Sequence, residues 1–200
     1  MTAGIDVVEA QTSDFARISR CLARAFHDDP VAVFLFPNPR TRPARLASLY
    51  RLVLASMSAH GSVMTDRLLR GAAIWQAPSP PAAGRLGVAL GKVMLVAVMR
   101  SASSRAFALN RAAQGAHPGE SHWYLGILGT DPVHQGSGVA SALIRPMLER
   151  SDETGFPAYL ESSKPSNIPF YERHGFRVMA PVQVAGGPTL WPMVRRPAGR

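Results

Sequence analysis

Three observations on this 200-residue chain predict an α/β (α+β) layer fold with a mixed central sheet. A strand-like stretch at 122–130 leads through a glycine loop into a helical stretch at 138–150, then into a second strand-like stretch at 157–162. Such a β-loop-α-β run implies a parallel strand pair joined by a right-handed crossover. Upstream, apolar residues recur at helical spacing in one segment and alternate in another, so helices and antiparallel strands share the chain. The hydrophobic share is 46% and the charged share 18%, enough apolar material for one sizeable core.

The elements follow in order. Residues 5–10 are predicted as a short strand. Thr12, Ser13 and Asp14 offer capping oxygens before a helix in which Phe15, Ile18, Leu22 and Phe26 share one face. HDDPVAVFLFPNP is expected to be a proline-bounded loop, and helical periodicity returns over 42–59. SVMT and GAAIWQ form two strands around Asp66-Arg67, and 79–84 is a proline-rich break. Residues 85–114 are expected to be mostly helical in two pieces. After the β-loop-α-β run come a short helix near 167–174 and strands near 176–184 and 189–195. No repeat or internal boundary is evident, so residues 1–200 are expected to be one domain, with 1–115 and 120–196 as its halves.

Composition narrows the function classes. The longest apolar run, VMLVAVM, lies between Lys92 and Arg100 and falls far short of the ~20 residues a membrane span needs. The N-terminus has neither a basic nor an apolar leader segment, which predicts a cytoplasmic protein with no membrane partner. Cys21 is the single cysteine, so no intramolecular disulfide or cysteine-based metal cluster is expected, and its place on an apolar helical stripe predicts a buried, inert thiol. His27-Asp28-Asp29 lacks a second cluster at ligand spacing, and no metal is expected. The net charge of +9 allows nucleic acid, an anionic small ligand or a generally arginine-rich composition. Scattered charges without interleaved aromatics argue against nucleic acid, while a basic surface still attracts polyphosphate.

The loop TDPVHQGSGVAS stands between strand and helix. Unpaired amides and the dipole at a helix start favour an anion, although a plain tight turn accounts for the same glycines. The phosphate-loop pattern fails because no lysine follows either glycine, and too little chain remains for a doubly wound dinucleotide fold. What fits is Gln135-Gly136-Ser137-Gly138-Val139-Ala140 followed by Asn167-Ile168-Pro169-Phe170-Tyr171-Glu172-Arg173-His174-Gly175-Phe176. In this order and spacing the two segments resemble the Q/R-x-x-G-x-G/A and N-x-x-x-Y-x-x-x-G-F patterns of the GCN5-related N-acetyltransferases, with Ala140 in the last loop position. The whole chain looks most like the puromycin-acetylating members, closely over 122–196 and thinly before.

The resemblance implies a sheet with a splayed parallel strand pair flanked by helices, and acetyl-CoA as cosubstrate. It implies a pyrophosphate held by Gln135, Gly136, Ser137, Gly138, Val139 and Ala140. Pantetheine would lie against Leu128 and Thr130, with a strand amide near Ile127 polarising the thioester carbonyl and Asn167 binding cofactor or capping the short helix. Tyr171 is the expected proton donor to the departing thiolate, since a phenol near pKa ~10 is reasonably matched to a thiol. The general base stays open between Glu161, acting through water, and His122, and a weakly basic amine would need none. By family likeness the loop with Asp28 and Asp29 borders the acceptor pocket, with Tyr124 beside the substrate and Phe34, Phe36, Trp75 and Trp123 as candidate walls; a solvated loop for the acids and core packing for the four aromatics Phe34, Phe36, Trp75 and Trp123 are the plain alternatives. The implied activity is direct acetyl transfer, within a ternary complex, to the primary amine of a small molecule such as an aminonucleoside, by a monomer or homodimer. Acetylation of protein lysines or N-termini, or a silent CoA-binding module, are the alternatives.

Overall fold

The computed structural model describes residues 4–57, 61–78 and 102–198. The strands are β1 (Val7–Glu9), β2 (Gly61–Asp66), β3 (Gly71–Gln76), β4 (Trp123–Thr130), β5 (Ala158–Ser162), β6 (Arg177–Val178), β7 (Val182–Gln183) and β8 (Thr189–Arg195). The helices are α1 (Phe15–Ala25), α2 (Pro30–Leu35), α3 (Arg42–Met57), α4 (Ser103–Ala116), α5 (Val139–Thr154) and α6 (Ile168–Arg173). Sheet order is β1-β2-β3-β4-β5-β8-β6, with β7 also pairing β8. Among the described residues all pairings are antiparallel except β4 with β5, which are joined by α5 as the β-loop-α-β pattern predicts.

Helices cover both faces. On one, α1 and α3 bury Ile18, Leu22, Leu46 and Leu54 against Ala72, Ile74 and the half-buried Ile127. On the other, α5 buries Val139, Leu143, Ile144 and Met147 against Trp75, Leu125, Leu160 and Met193. β3 is therefore buried along nearly its whole length, and GAAIWQ reads as a run of small and apolar residues rather than an alternation.

The expected loop at residues 27–39 contains α2. Asp29 caps it, its Oδ1 accepting from the amides of Val31 at 2.9 Å and Ala32 at 3.4 Å, and Pro30 stands at the first turn where its missing N–H costs nothing. The predicted strand over 176–184 is instead two two-residue strands on either side of residues 179–181. α5 continues to Thr154, beyond the expected end, and Pro146 lies inside it. Of the helical segment expected over 85–114, residues 85–101 lie outside the described residues.

Candidate active site

The parallel pair closes only at its start. Trp123 is opposite Ala158 and Tyr124 opposite Tyr159, and there the pairing ends although β4 runs to Thr130 and β5 to Ser162. The strands therefore splay, and the remaining β5-facing edge of β4 has no strand partner among the described residues.

Which groups face this opening follows from the register. Across β3, Ile74 is opposite Ile127 and Trp75 opposite Leu125, so Gly126 is an extra, bulged residue. Before it, the amide of Trp123 donates to Pro157 on the β5 side. After it, the amide of Asp131 donates to Arg70 on the β3 side. Alternation then assigns Ile127 and Gly129 to β3, and turns the N–H and C=O of Leu128 and Thr130 into the splay. Ile127 itself belongs to the β3-facing set, so the amide near it that faces the opening is that of Leu128. Gly129 is required by packing: a Cβ there would lie 2.7 Å from Phe26 and 2.8 Å from Leu22 of α1.

The mouth of the splay is a cleft of about 400 Å³, lined among others by Asp29, Thr130, Gln135, Gly136, Asn167 and Tyr171. Gly136 and Gly138 have φ of 76° and 86°, a region side chains rarely adopt. Gly138 is the N-cap of α5, with no side chain occupying the cap, so the helix amides open toward the loop. An added Cβ would meet nothing within 4 Å at Gly136 and only Ile5 at 3.9 Å at Gly138, so conformation and not packing demands glycine there. The Ser137 hydroxyl is used locally, donating to the His134 carbonyl at 2.6 Å, and Gln135 Nε2 donates to the Thr130 carbonyl at 3.3 Å. The Thr130 hydroxyl is buried without a partner among the described residues. Open amides at a helix start, a free strand edge and an unpartnered hydroxyl fit a phosphate-bearing, amide-containing chain such as that of CoA. The Val139 side chain is buried in the second core, which leaves its backbone amide as the group this residue can offer to the loop.

Next to the loop a smaller cavity of about 220 Å³ is lined by Arg17, Arg20, Arg24 and Arg70 together with Asp131 and His134. Part of the net positive charge is thus gathered beside the loop. Arg24 Nε donates to Asp131 at 3.0 Å and holds its carboxyl below the usual carboxylate range.

Tyr171, from α6, is buried at the wall of the cleft. Burial first, and then the carboxylate of Asp29, push its phenol above the ordinary value, so it keeps its proton across the physiological range. Asn167 also lines the cleft but makes no side-chain cap to α6; of its two expected roles the structure removes capping. Asp28 and Asp29 separate. Asp29 is buried, committed to capping α2 and accepting a hydrogen bond from Ser163 Oγ, whereas the side chain of Asp28 is 84% exposed with His27 3.8 Å away. Phe34 packs over Gly187, where a Cβ would come within 2.9 Å of its ring. Phe36, Trp75 and Trp123 are core residues, as their plain reading had it. Cys21 is buried, and desolvation ahead of the nearby Asp131 charge pushes its thiol up to about 11, which leaves it inert near neutrality.

At the root of the splay, Tyr124, Tyr159 and Glu161 project from one face. The Tyr124 hydroxyl donates to Glu161 Oε2 at 2.8 Å, and its ring lies over Gly126, where a Cβ would approach it to 3.3 Å. Glu161 Oε1 has His117 Nε2 at 3.3 Å, and His117 Nδ1 is 3.1 Å from His122 Nε2. Burial raises the pKa of Glu161 against the opposing effect of its tyrosine neighbours. His117, at the end of α4, was absent from the sequence-derived set. It sits before Pro118-Gly119 with no periodic relation to β5, and the only available signal was a second histidine close to His122.

Fold and site together define an N-acetyltransferase of the GNAT type. Residues 72–176 match the acetyltransferase (GNAT) family, and the chain belongs to it. An N-acetyltransferase of Schizosaccharomyces pombe is 25% identical over 177 residues, covering 83% of this chain and 72% of the relative. Among solved structures, a histone acetyltransferase HPA2 and related acetyltransferase from Corynebacterium glutamicum superposes with a TM-score of 0.71 at 24% identity, covering 99% of both chains. The PaiA N-acetyltransferase of Thermoplasma acidophilum, solved in complex with coenzyme A, superposes at 0.57 with 10% identity over 97% of this chain and 99% of its own. At these identities the two structures bear on the fold alone, and the fold is the GNAT one.

Proposed function

We propose that the protein transfers the acetyl group of acetyl-CoA to the primary amine of a small molecule by direct attack in a ternary complex. The observation that carries this reading is the splay, where strand pairing stops after two residue pairs and the glycine loop stands at the far end of the free edge. In this reading the loop amides from Gly136 to Ala140 bind the pyrophosphate, and the edge groups of Leu128 and Thr130 pair with the pantetheine amides. The Leu128 amide, beside the bulge, is a fixed donor for the negative charge that develops on the thioester oxygen. Asn167 holds the cofactor in the cleft. Tyr171 donates its proton to the departing thiolate, and its raised pKa keeps it protonated until a full thiolate charge appears. Glu161, through Tyr124, is the acceptor of the amine proton, and Tyr124 borders the amine itself.

Acetyl-CoA supplies an activated acyl group; the protein supplies register, a donor and a route for two protons. For the acceptor we favour an aminonucleoside such as puromycin, on the likeness of the loop and of the NIPFYERHGF segment to the puromycin-acetylating enzymes. Release of CoA thiol from acetyl-CoA, followed over a panel of puromycin, arylalkylamines, polyamines and a lysine peptide, tests the assignment. Turnover confined to the peptide would redirect it to protein acetylation, and acetyl-CoA binding without turnover of any acceptor would leave only a binding module.

A further inference from the structure

The group of aromatic and titratable residues at the root of the splay is ordered by its own hydrogen bonds. His122 Nδ1 lies 2.7 Å from the carbonyl oxygen of Glu120. A carbonyl only accepts, so Nδ1 carries a proton, and in neutral His122 the Nε2 is bare. That bare nitrogen faces His117 Nδ1, which must therefore be the donor across 3.1 Å. His117 then has only Nε2 left, and this atom faces Glu161 Oε1. The other carboxylate oxygen already accepts from Tyr124. No hydrogen bond closes this 3.3 Å contact and Oε1 is buried without a hydrogen-bond partner among the described residues, so it is the link at which a proton must be taken up: on Oε1 with the acid and the imidazole both neutral, on Nε2 with both charged.

Two independent effects favour the neutral pair. Burial raises Glu161, and burial together with the charge of His122 lowers His117. Charged or titratable groups against His117 are Glu161 and Tyr159 from β5, Tyr124 from β4, and His122; its ring centroid lies 4.7 to 5.2 Å from those of Tyr159, Tyr124 and His122. Arg196, beyond β8, is engaged by the Glu120 carboxylate. The line runs outward from a Glu161 side chain 8% exposed, through His117 at 23%, to His122 before β4.

We propose that Glu161, His117 and His122 form a proton relay that carries the acceptor's proton from the root of the splay to the surface, with His117 as the residue that positions and passes on the Glu161 proton. This rests on the acetyl-transfer reading above. As the amine nitrogen bonds to the acetyl carbon and the C–S bond breaks, the nitrogen loses one proton. That proton passes to the Tyr124 oxygen while Tyr124 gives its own to Glu161 Oε2. The Oε1 proton moves to His117 Nε2, the His117 Nδ1 proton moves to His122 Nε2, and the His122 imidazolium releases one proton to water. Tyr171, having given its proton to the thiolate, takes one back from water, so charge and protons balance over the cycle.

The test combines kinetics with histidine ring ¹⁵N NMR on the whole protein. In the free protein His122 should show the Nδ1–H tautomer, and Glu161→Gln should change the titration of the His117 ring. His117→Gln should lower kcat at least tenfold, leave the acetyl-CoA KM within twofold and move the acid limb of the pH profile. In His117→Gly, added imidazole should restore kcat, a recovery that a purely structural role would not produce. An Nε2–H tautomer at His122, or a His117 titration indifferent to Glu161→Gln, overturns the relay, as does wild-type kcat and pH profile in His117→Gln. Wild-type protein inactive toward every amine would bring down the acetyl-transfer reading, and the relay with it; that result is distinct from the others, in which turnover continues and the relay alone falls.

Discussion

Gly138→Ala separates conformation from binding in the glycine loop. Because a Cβ at Gly138 meets only Ile5, at 3.9 Å, while φ is 86°, its cost is backbone strain of about 1–2 kcal/mol. In a chain of this size each kcal/mol moves Tm by about 2–4 °C, so a fall of about 2–8 °C is expected in thermal unfolding. If the loop relieves this strain by returning to negative φ, the amides opening α5 rotate away from the anion. An anion contact at a helix start is worth about 0.3–2 kcal/mol, so the acetyl-CoA KM should rise roughly 2- to 30-fold while kcat at saturation is retained. Gly155, at the other end of α5, is the control: its φ is 73°, and nothing lies within 4 Å of an added Cβ. Gly155→Ala should lose the same stability with no change in KM. Unaltered Tm and KM in Gly138→Ala would refute the conformational argument, and an equal KM rise in both variants would refute the assignment of the loop to the anion.

Other variants and conditions probe the rest of the site. Tyr171→Phe should lower kcat by about 10²-fold or more with little change in the acetyl-CoA KM; an unchanged kcat would remove the proton-donor role. Stability should fall in two stages on acidification, followed by urea unfolding at each pH. His117 and His174 have folded values below 6.5, so the unfolded chain protonates first and stability declines as pH drops below 6.5. Asp131 and Asp152 are held below 3.8 by Arg24 and Arg195, and their contribution, present above 3.8, is lost as pH falls through the lower folded values. A flat profile from pH 7 to 5 would contradict the histidine placements. Cys21, buried with its thiol raised to about 11, should resist a thiol reagent in the native state and react at once in denaturant.

Much of the fold could be read because its signals are local. Glycine spacing, the Asn-to-Tyr segment and the helical stripe of Phe15, Ile18 and Leu22 each lie within one element. α2 was missed for the opposite reason: a six-residue helix is too short to display a period, and only Asp29 before Pro30 announced it. The bulge at Gly126 was equally hidden, since one added residue leaves a strand looking like a strand. His117 escaped because its partners Glu161 and Tyr159 lie on β5, and the contact exists only once α4 and β5 meet. Asp28 and Asp29, adjacent in sequence, received one role where a helix cap sends them to different environments.

The bulge has a further consequence for how β4 tolerates change in length. Its two halves are out of phase: Trp123 and Leu125 before Gly126 and Leu128 after it all pack against the α5 layer. Deleting Gly126 would remove the extra residue and leave an unbroken alternation in which Trp123, Leu125 and Leu128 still face α5 and Ile127 still faces α1. Loss of this one residue is thus a local trim that flattens the bulge without turning either half of the strand over. One residue added or removed within either regular half would instead act as a frameshift in space, sending the side chains beyond it to the other layer. Length variation in relatives of this fold should accordingly fall at the bulge or at the strand's ends and spare the stretches between.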